Sequence, residues 1–341
     1  VTLKGKARWL HWAQKLPLHT LLGDFCPIFV LHRVAGENAP VQAHIHQPEF
    51  LEWCLSYLKS EGYRAISLDE LISYRRKRRR LPAKSVVFTV DDGFRDNVVD
   101  AGALFAKFQV PLTCFVISGF TAEELWPWDD QLKHLLGKVE QLPSTIELPD
   151  GSTFVINPIL TRYEQVRTLR NRLKQLSQDA IYPWLRRQYK DLQVRYPSKP
   201  PAGYRPAKLS QLERFIRQGH TVCAHTHTHR ILSQLDLNTA RWEIRHSYTW
   251  LTENLSKTGS SFAYPTGRSG DFNFEHQRLV ESLGFSGAVT TEARTHCSGD
   301  PLFALPRLSL PEEPYQFIQY LSYIEVLKQR VRGCLLASQK R

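Results

Sequence analysis

The sequence predicts an α/β protein built on a parallel sheet or barrel, with a mainly helical insertion. Three observations carry that expectation. Short apolar runs alternate with stretches of helical spacing along most of the 341 residues. Polar residues gather just after several of the apolar runs, where parallel architectures place their sites. The alternation stops between about residues 123 and 203 and then resumes.

Each element follows in order. Residues 26–33, CPIFVLHR, form a strand ending in polar residues. Phe50, Leu51, Cys54, Leu55 and Leu58 share one helical face, and Gly62 stops that helix. A short strand at 63–68 precedes a helix to Tyr74, with Asp69 as the expected cap. A strand at 85–90, a helix at 98–108 and a strand at 111–117 continue the pattern. Within the insertion, residues 145–156 form a hairpin around Pro149-Asp150-Gly151. Val166, Leu169, Leu173 and Leu176 mark a helix, and a second one, interrupted by Pro183, runs to about residue 192. Pro197, Pro200 and Pro201 then make a linker. Helices at 209–218, 239–255 and 275–283 alternate with strands at 220–224, 261–264 and 285–290. A segment at 302–308 and a final helix from Tyr315 to about residue 336 close seven or eight strand–helix units. The expected organisation is one domain over 1–341, with a basic N-terminal segment at 1–24 and the insertion at about 123–203.

Composition bounds the partners. Hydrophobic content of 42% and charge of 23% are ordinary for a globular chain. A net charge of +12 favours anionic partners. Residues 75–80, RRKRRR, are either a solvated loop or a contact for anionic lipid headgroups. No interleaved aromatics or nucleic-acid motif accompany them, so no nucleic-acid partner is expected. Six cysteines, at 26, 54, 114, 223, 297 and 334, lack Cys-x-x-Cys spacing, which favours a reducing compartment. The first residues mix Lys4, Lys6 and Arg8 with Leu3, Trp9 and Trp12 and have no continuous apolar core. The expected location is cytoplasmic or membrane-peripheral, with a trimmed export signal as the alternative. Oligomeric state leaves no signature.

Two polar clusters carry chemistry. The first is FTVDDGFRDN at 88–97, where Asp91 and Asp92 follow a buried strand. Asp-Asp-Gly is also common turn chemistry, so a site requires other groups to converge there. The second is HTHTH at 225–229, after the strand at 220–224. A continuing strand would put His225, His227 and His229 on one face. A turn into a helix would pair His225 with His229, and the spacing of Ile231, Leu232 and Leu235 favours that reading. Two histidines and one carboxylate make a three-ligand catalytic zinc site with an open position. The other carboxylate then stays free to take a proton.

Thr89-Val-Asp-Asp-Gly93, His225-Thr-His-Thr-His229 and Phe262-Ala-Tyr-Pro-Thr-Gly267, in that order, resemble the three motifs of the polysaccharide deacetylases, carbohydrate esterase family four. The resemblance extends from Ile28 to Leu308. It implies a distorted, partly open (β/α) barrel of about seven parallel strands. It implies Asp91 as catalytic base, Asp92, His225 and His229 as ligands of one divalent ion, and the Thr266 N–H as an oxyanion donor. Zinc is the first choice of ion, with cobalt or nickel as alternatives. The implied substrate is an acetylated glycan, losing N-acetyl or, in some members, O-acetyl groups.

Two departures stand out. Ala263 occupies the place where many relatives carry an Arg that orients the base, and no histidine follows near Leu308. His32 is the candidate for the missing proton partner. A lapsed relative that only binds glycan, or an interaction protein at a membrane surface, are the competing classes. Trp126 and Trp128, with Asp129 and Asp130, are read either as groove or as core. His246 and His296 are expected at the surface.

Overall fold

The computed structural model describes residues 24–34 and 45–338; most of the basic N-terminal segment lies outside them. Seven parallel strands form the sheet: β1 Ile28–Leu31, β2 Ser85–Val90, β3 Leu112–Val116, β4 Thr221–Ala224, β5 Ser261–Ala263, β6 Gly287–Val289 and β7 Leu308–Ser309. Their spatial order is β6-β5-β4-β3-β2-β1-β7, and a short strand, Arg64–Ala65, pairs with the start of β2. The sheet curls into a distorted, partly open barrel, as expected. Its gap is spanned by one segment: Leu305 bridges to Val289 of β6, and three residues later Leu308 pairs with Phe29 of β1.

Alternation along the strands separates two apolar layers. Ile28, Val87, Phe115, Cys223, Ala263, Val289 and Leu305 cluster inside the curl. Their neighbours Phe29, Val86, Phe88, Cys114, Val116, Val222, Ala224, Phe262 and Ala288 pack outward against the helices. These strands are buried on both faces, so they appear in the sequence as continuous apolar runs.

The flanking helices are α1 Pro48–Ser60, α2 Leu68–Arg76, α3 Gly102–Lys107, α4 Ser118–Thr121, α5 Trp128–Lys138, α6 Arg162–Leu173, α7 Gln178–Asp191, α8 Leu209–Arg217, α9 Leu237–Asn254, α10 Phe274–Ser282, α11 Pro314–Leu321 and α12 Tyr323–Ser338. A π-helical turn at Asn97–Ala101 leads into α3. Helix α2 is capped by Ser67, whose hydroxyl accepts the Glu70 N–H, and Asp69 sits inside the first turn instead. Pro183 does not interrupt α7. It removes one hydrogen bond in the second turn, and burial of Ile181, Trp184, Leu185 and Tyr189 outweighs that loss. The final helix is two helices, because Ser322 is extended (ψ 152°) and its hydroxyl bonds the Gln319 carbonyl.

The segment after β3 holds α5, an antiparallel hairpin of Thr145–Glu147 with Thr153–Val155, α6 and α7. A capping box at Thr161 and Glu164 starts α6. Trp128, Leu132, Leu169, Leu173, Ile181, Trp184 and Tyr189 are among the residues of a core of its own. A second cluster, Phe94, Ile117, Phe120, Trp126 and Tyr204, joins it to the end of the barrel. Trp126 and Trp128 are therefore core residues.

Candidate metal centre and carboxylate pair

Strand register brings the two polar clusters together. Val90 of β2 stands opposite Leu31 of β1, so His32 and Asp91 leave the sheet side by side. Ala224 of β4 pairs with Val116 and Phe262, so His225 emerges two strands away at the same end. The Nε2 atoms of His225 and His229 each lie 3.6 Å from Asp92 Oδ1. Asp92, His225 and His229 offer donor atoms within 4.8 Å of one another, a group that fits one divalent cation.

The local backbone explains why these three meet. The chain does not turn helical after His225. Asp92, Thr226 and His229 all take left-handed φ values, of 73°, 64° and 58°. Such residues cost about 1–3 kcal/mol each and persist only where surrounding structure holds them. The Thr226 hydroxyl accepts the His229 N–H at 3.0 Å, and this tight turn returns His229 to His225. The pairing of His225 with His229 is thus made by an irregular loop, not by an i, i+4 helical face.

His225 is set for ligation. Its Nδ1–H donates to the Ala263 carbonyl at 2.7 Å, which leaves Nε2 as the free lone pair. His227 faces the other way. Its ring bonds Ser118 Oγ at 2.9 Å and lies 3.1 Å from Glu124. Its N–H donates to Glu243.

Asp91 is held by a residue that the motif reading missed. Arg307 crosses the interior from the segment that spans the barrel gap. Its Nη1 and Nη2 donate to the two Asp91 oxygens at 2.7 and 2.6 Å. Two of its remaining donors meet Thr89 Oγ1 at 3.0 Å and the Thr290 carbonyl at 2.8 Å. Four of the five N–H donors of the buried guanidinium are therefore matched. An arginine in the otherwise apolar stretch Leu302–Leu308 was the available signal, since buried arginine is rare without a partner. It stands just before β7, whereas Ala263 on β5 carries no charged group toward Asp91.

The electrostatics divide the carboxylates. Burial alone would raise the Asp91 pKa; the charge and hydrogen bonds of Arg307 overcome this and bring it to about 2. Burial raises the Asp92 pKa to about 7, against the pull of His225. Burial also lowers His225, and lowers His229 to about 4, so both rings are neutral near pH 7. Enclosure in the cleft lowers His32 to about 4, with Asp91 opposing, although the ring keeps its contact with water.

The remaining expected residues fall as follows. Thr266 is in the left-handed region at φ 56°, its hydroxyl bonds Asp271, and its N–H makes no hydrogen bond among the described residues. From α5, Lys133 binds Asp130 at 2.8 Å and Asp129 at 3.5 Å, and Asp129 acts on His229 through its charge. His296 is fully buried between Arg75 and Asp300, not at the surface, and His246 stacks half-buried on Trp242. The basic run is not one solvated loop: Arg75 bonds the carbonyls of Cys297 and Asp300, while residues 77–80 are exposed.

A distorted parallel barrel with an Asp–His–His group at its strand ends, beside an arginine-held carboxylate, defines the class: a parallel α/β barrel with a candidate cation site. The comparisons specify it. The family model described as polysaccharide deacetylase matches residues 170–288, a stretch that holds the second and third motifs. The chain is similar in structure to the deacetylase PplD of Streptococcus pyogenes, solved with acetate: 19% identity, 88% of this chain and 99% of that one, TM-score 0.58. It is similar to IcaB of Ammonifex degensii at 17% identity, over 88% and 97% of the two chains, TM-score 0.56. BC0361, a polysaccharide deacetylase of Bacillus cereus, matches at 14% identity over 88% and 69%, TM-score 0.54. A comparison with curated proteins gave no match. The resemblance to polysaccharide deacetylases is borne out by the family model, over the second and third of the three motifs, and the similar folds agree with the expected barrel.

Proposed function

We propose that this chain is a metal-dependent hydrolase that removes N-acetyl groups from an amino-sugar glycan. The carrying observation is the Asp92–His225–His229 group beside an Asp91 that Arg307 keeps ionised. Asp92 Oδ1 and the Nε2 atoms of His225 and His229 would hold one zinc-type ion. When bound, the ion supplies Lewis acidity to the acetyl carbonyl and to water.

The chain's own groups do the rest. Each Asp91 oxygen spends one lone pair on Arg307 and keeps another, so the carboxylate can still take a proton from the attacking water. The water oxygen bonds to the acetyl carbon, and the Thr266 N–H donates to the oxyanion that forms. The C–N bond then breaks as a proton reaches the sugar nitrogen, releasing acetate and a free amine. His32 is the donor for that proton. Its low pKa makes it neutral at rest, so the proton it delivers arrives first from the water side, where Asp91 stands beside it.

Arg307 weakens the reading of the chain as a lapsed glycan binder, because an arginine from the segment before β7 holds Asp91 where Ala263 cannot. The test is acetate release from acetylated glycans, with and without chelator. Asp91→Asn should keep its ion and lose roughly 10²–10⁴-fold in rate. Full activity in Asp91→Asn, or activity indifferent to chelator, would overturn this assignment.

A further inference from the structure

Glu243 lies in the middle of α9, is 1% exposed, and has no place in the motifs of the site. Among the described residues no lysine or arginine pairs with it. A carboxylate taken out of water this completely needs strong donors in return. It finds them in one place. Its Oε2 accepts the N–H of His227 at 3.0 Å and the N–H of Thr228 at 2.9 Å, and its Oε1 accepts the Thr228 hydroxyl. All three donors belong to the loop between His225 and His229.

The other side of that loop is pinned as well. The Thr226 and His227 carbonyls accept the N–H groups of Ser118 and Gly119 at 3.3 and 3.0 Å. A Cβ on Gly119 would come within 2.8 Å of the His227 oxygen, so the helix start must be this close and this bare. Left-handed residues stand at 226 and 229, just outside the two amides that Glu243 holds. The carboxylate satisfies two successive buried amides that the loop's irregular path leaves without partners in regular structure. Helix α9 in turn is anchored in the core by Ala240, Ile244 and Leu251.

We propose that Glu243 is a positioning residue that locks the 225–229 loop, so that His225 and His229 are presented together without rearrangement. The inference rests on the reading of Asp92, His225 and His229 as a metal centre. Partners that hydrogen-bond metal ligands directly typically contribute 10–100-fold to metal affinity, and Glu243 acts one step further out, on the backbone that carries His225 and His229.

The experiment uses the full chain, with Co²⁺ as the probe, its affinity read by competition with a chromogenic chelator and its geometry by visible absorption. Glu243→Gln keeps the shape but removes the charge that makes the bonds to the two amides and the hydroxyl strong. It should bind Co²⁺ about 10-fold or more weakly, with an altered absorption band. Thr228→Val, which removes one arm, should weaken binding severalfold, and Thr228→Ser should restore it. Asp236→Ala removes the N-cap of the same helix, where it accepts the Asn238 and Thr239 amides, and reports on helix stability alone. It should lower thermal stability and leave Co²⁺ affinity within about twofold of the parent. Glu243→Gln at parental affinity with an unchanged band, or Asp236→Ala weakened as much as Glu243→Gln, would overturn the positioning role while the metal reading stands. A parent that binds no divalent ion would overturn both.

Discussion

A carboxylate as deeply buried as Asp91 would ordinarily hold its proton, and the Arg307 guanidinium reverses that. With a folded pKa of about 2 against roughly 3.9 in an unfolded chain, Asp91 contributes stability that is complete above pH 4. That contribution is lost as pH falls toward 2. Arg307→Met leaves the carboxylate buried and unpaired, which at neutral pH should cost about 3–5 kcal/mol. The orphan then takes a proton more readily, so the gap between variant and parent should narrow as pH is lowered from 7 to 4. Urea unfolding at both pH values measures this. Asp92 behaves oppositely. Its pKa of about 7 means that a proton competes with any cation. Affinity should therefore fall about tenfold per pH unit below 7 and level off above it, since His225 and His229 are already neutral there. Calorimetric titrations between pH 5.5 and 8 give the slope, and a flat profile would remove Asp92 from the ligand set. Asp91 and Asp92 were legible as candidates because adjacent acids end an apolar strand. Arg307 was not, since its partner lies 216 residues away and only the closing of the barrel brings them together.

Elements fix what residues alone cannot. The apolar spacing after His225 suggested a helix, and the structure instead brings His225 and His229 together through an irregular loop. Ile231 and Leu232 are indeed buried, but against the barrel end and not along a continuous helical face. Side-chain hydrogen bonds from Thr226 and Glu243 decide the path there, and a periodicity argument sees neither. Because His227 points toward Ser118 and Glu124, His227→Ala should retain the ion, whereas His229→Ala should lose it. Metal content of the two purified variants distinguishes them, and loss in His227→Ala alone would restore the continuous-strand reading. Gly119→Ala tests the packing behind the loop. The added methyl would meet the His227 oxygen and Leu125 at 2.8 Å, so it should cost about 1–3 kcal/mol and loosen the ion site with it.

At the scale of the molecule, strand–helix alternation made the parallel barrel legible, because β1 to β6 are buried on both faces for nearly all their length and show as apolar runs. The segment between about 123 and 203 was legible as an interruption, but its own core was not, since a core is a set of contacts and not a pattern along the chain. Its position has a physical consequence. Glu123 and Lys199, near its two ends, are joined at 3.2 Å, so the barrel sees the whole segment as one long excursion from neighbouring points. Asp92, His225 and His229 all sit on the barrel side, and the seven strands take no hydrogen bonds from it. Replacing residues 124–198 by a short Gly/Ser linker should therefore leave the sheet and the ion site in place. The cost falls on Phe94, Ile117 and Phe120, which lose Trp126 as a neighbour, on His229, which loses the charge of Asp129, and on His227, Arg230 and Ile231, which lose Glu124, Asp179 and Gln178. Such a variant should melt at a lower temperature yet bind Co²⁺ with a parental absorption band, while turnover of a long glycan falls more than that of a short one. Circular dichroism, the Co²⁺ spectrum and acetate release follow the three effects separately. A variant that fails to fold would show instead that the segment's core and the barrel's are one cooperative unit, coupled through the Phe94–Phe120–Trp126–Tyr204 cluster.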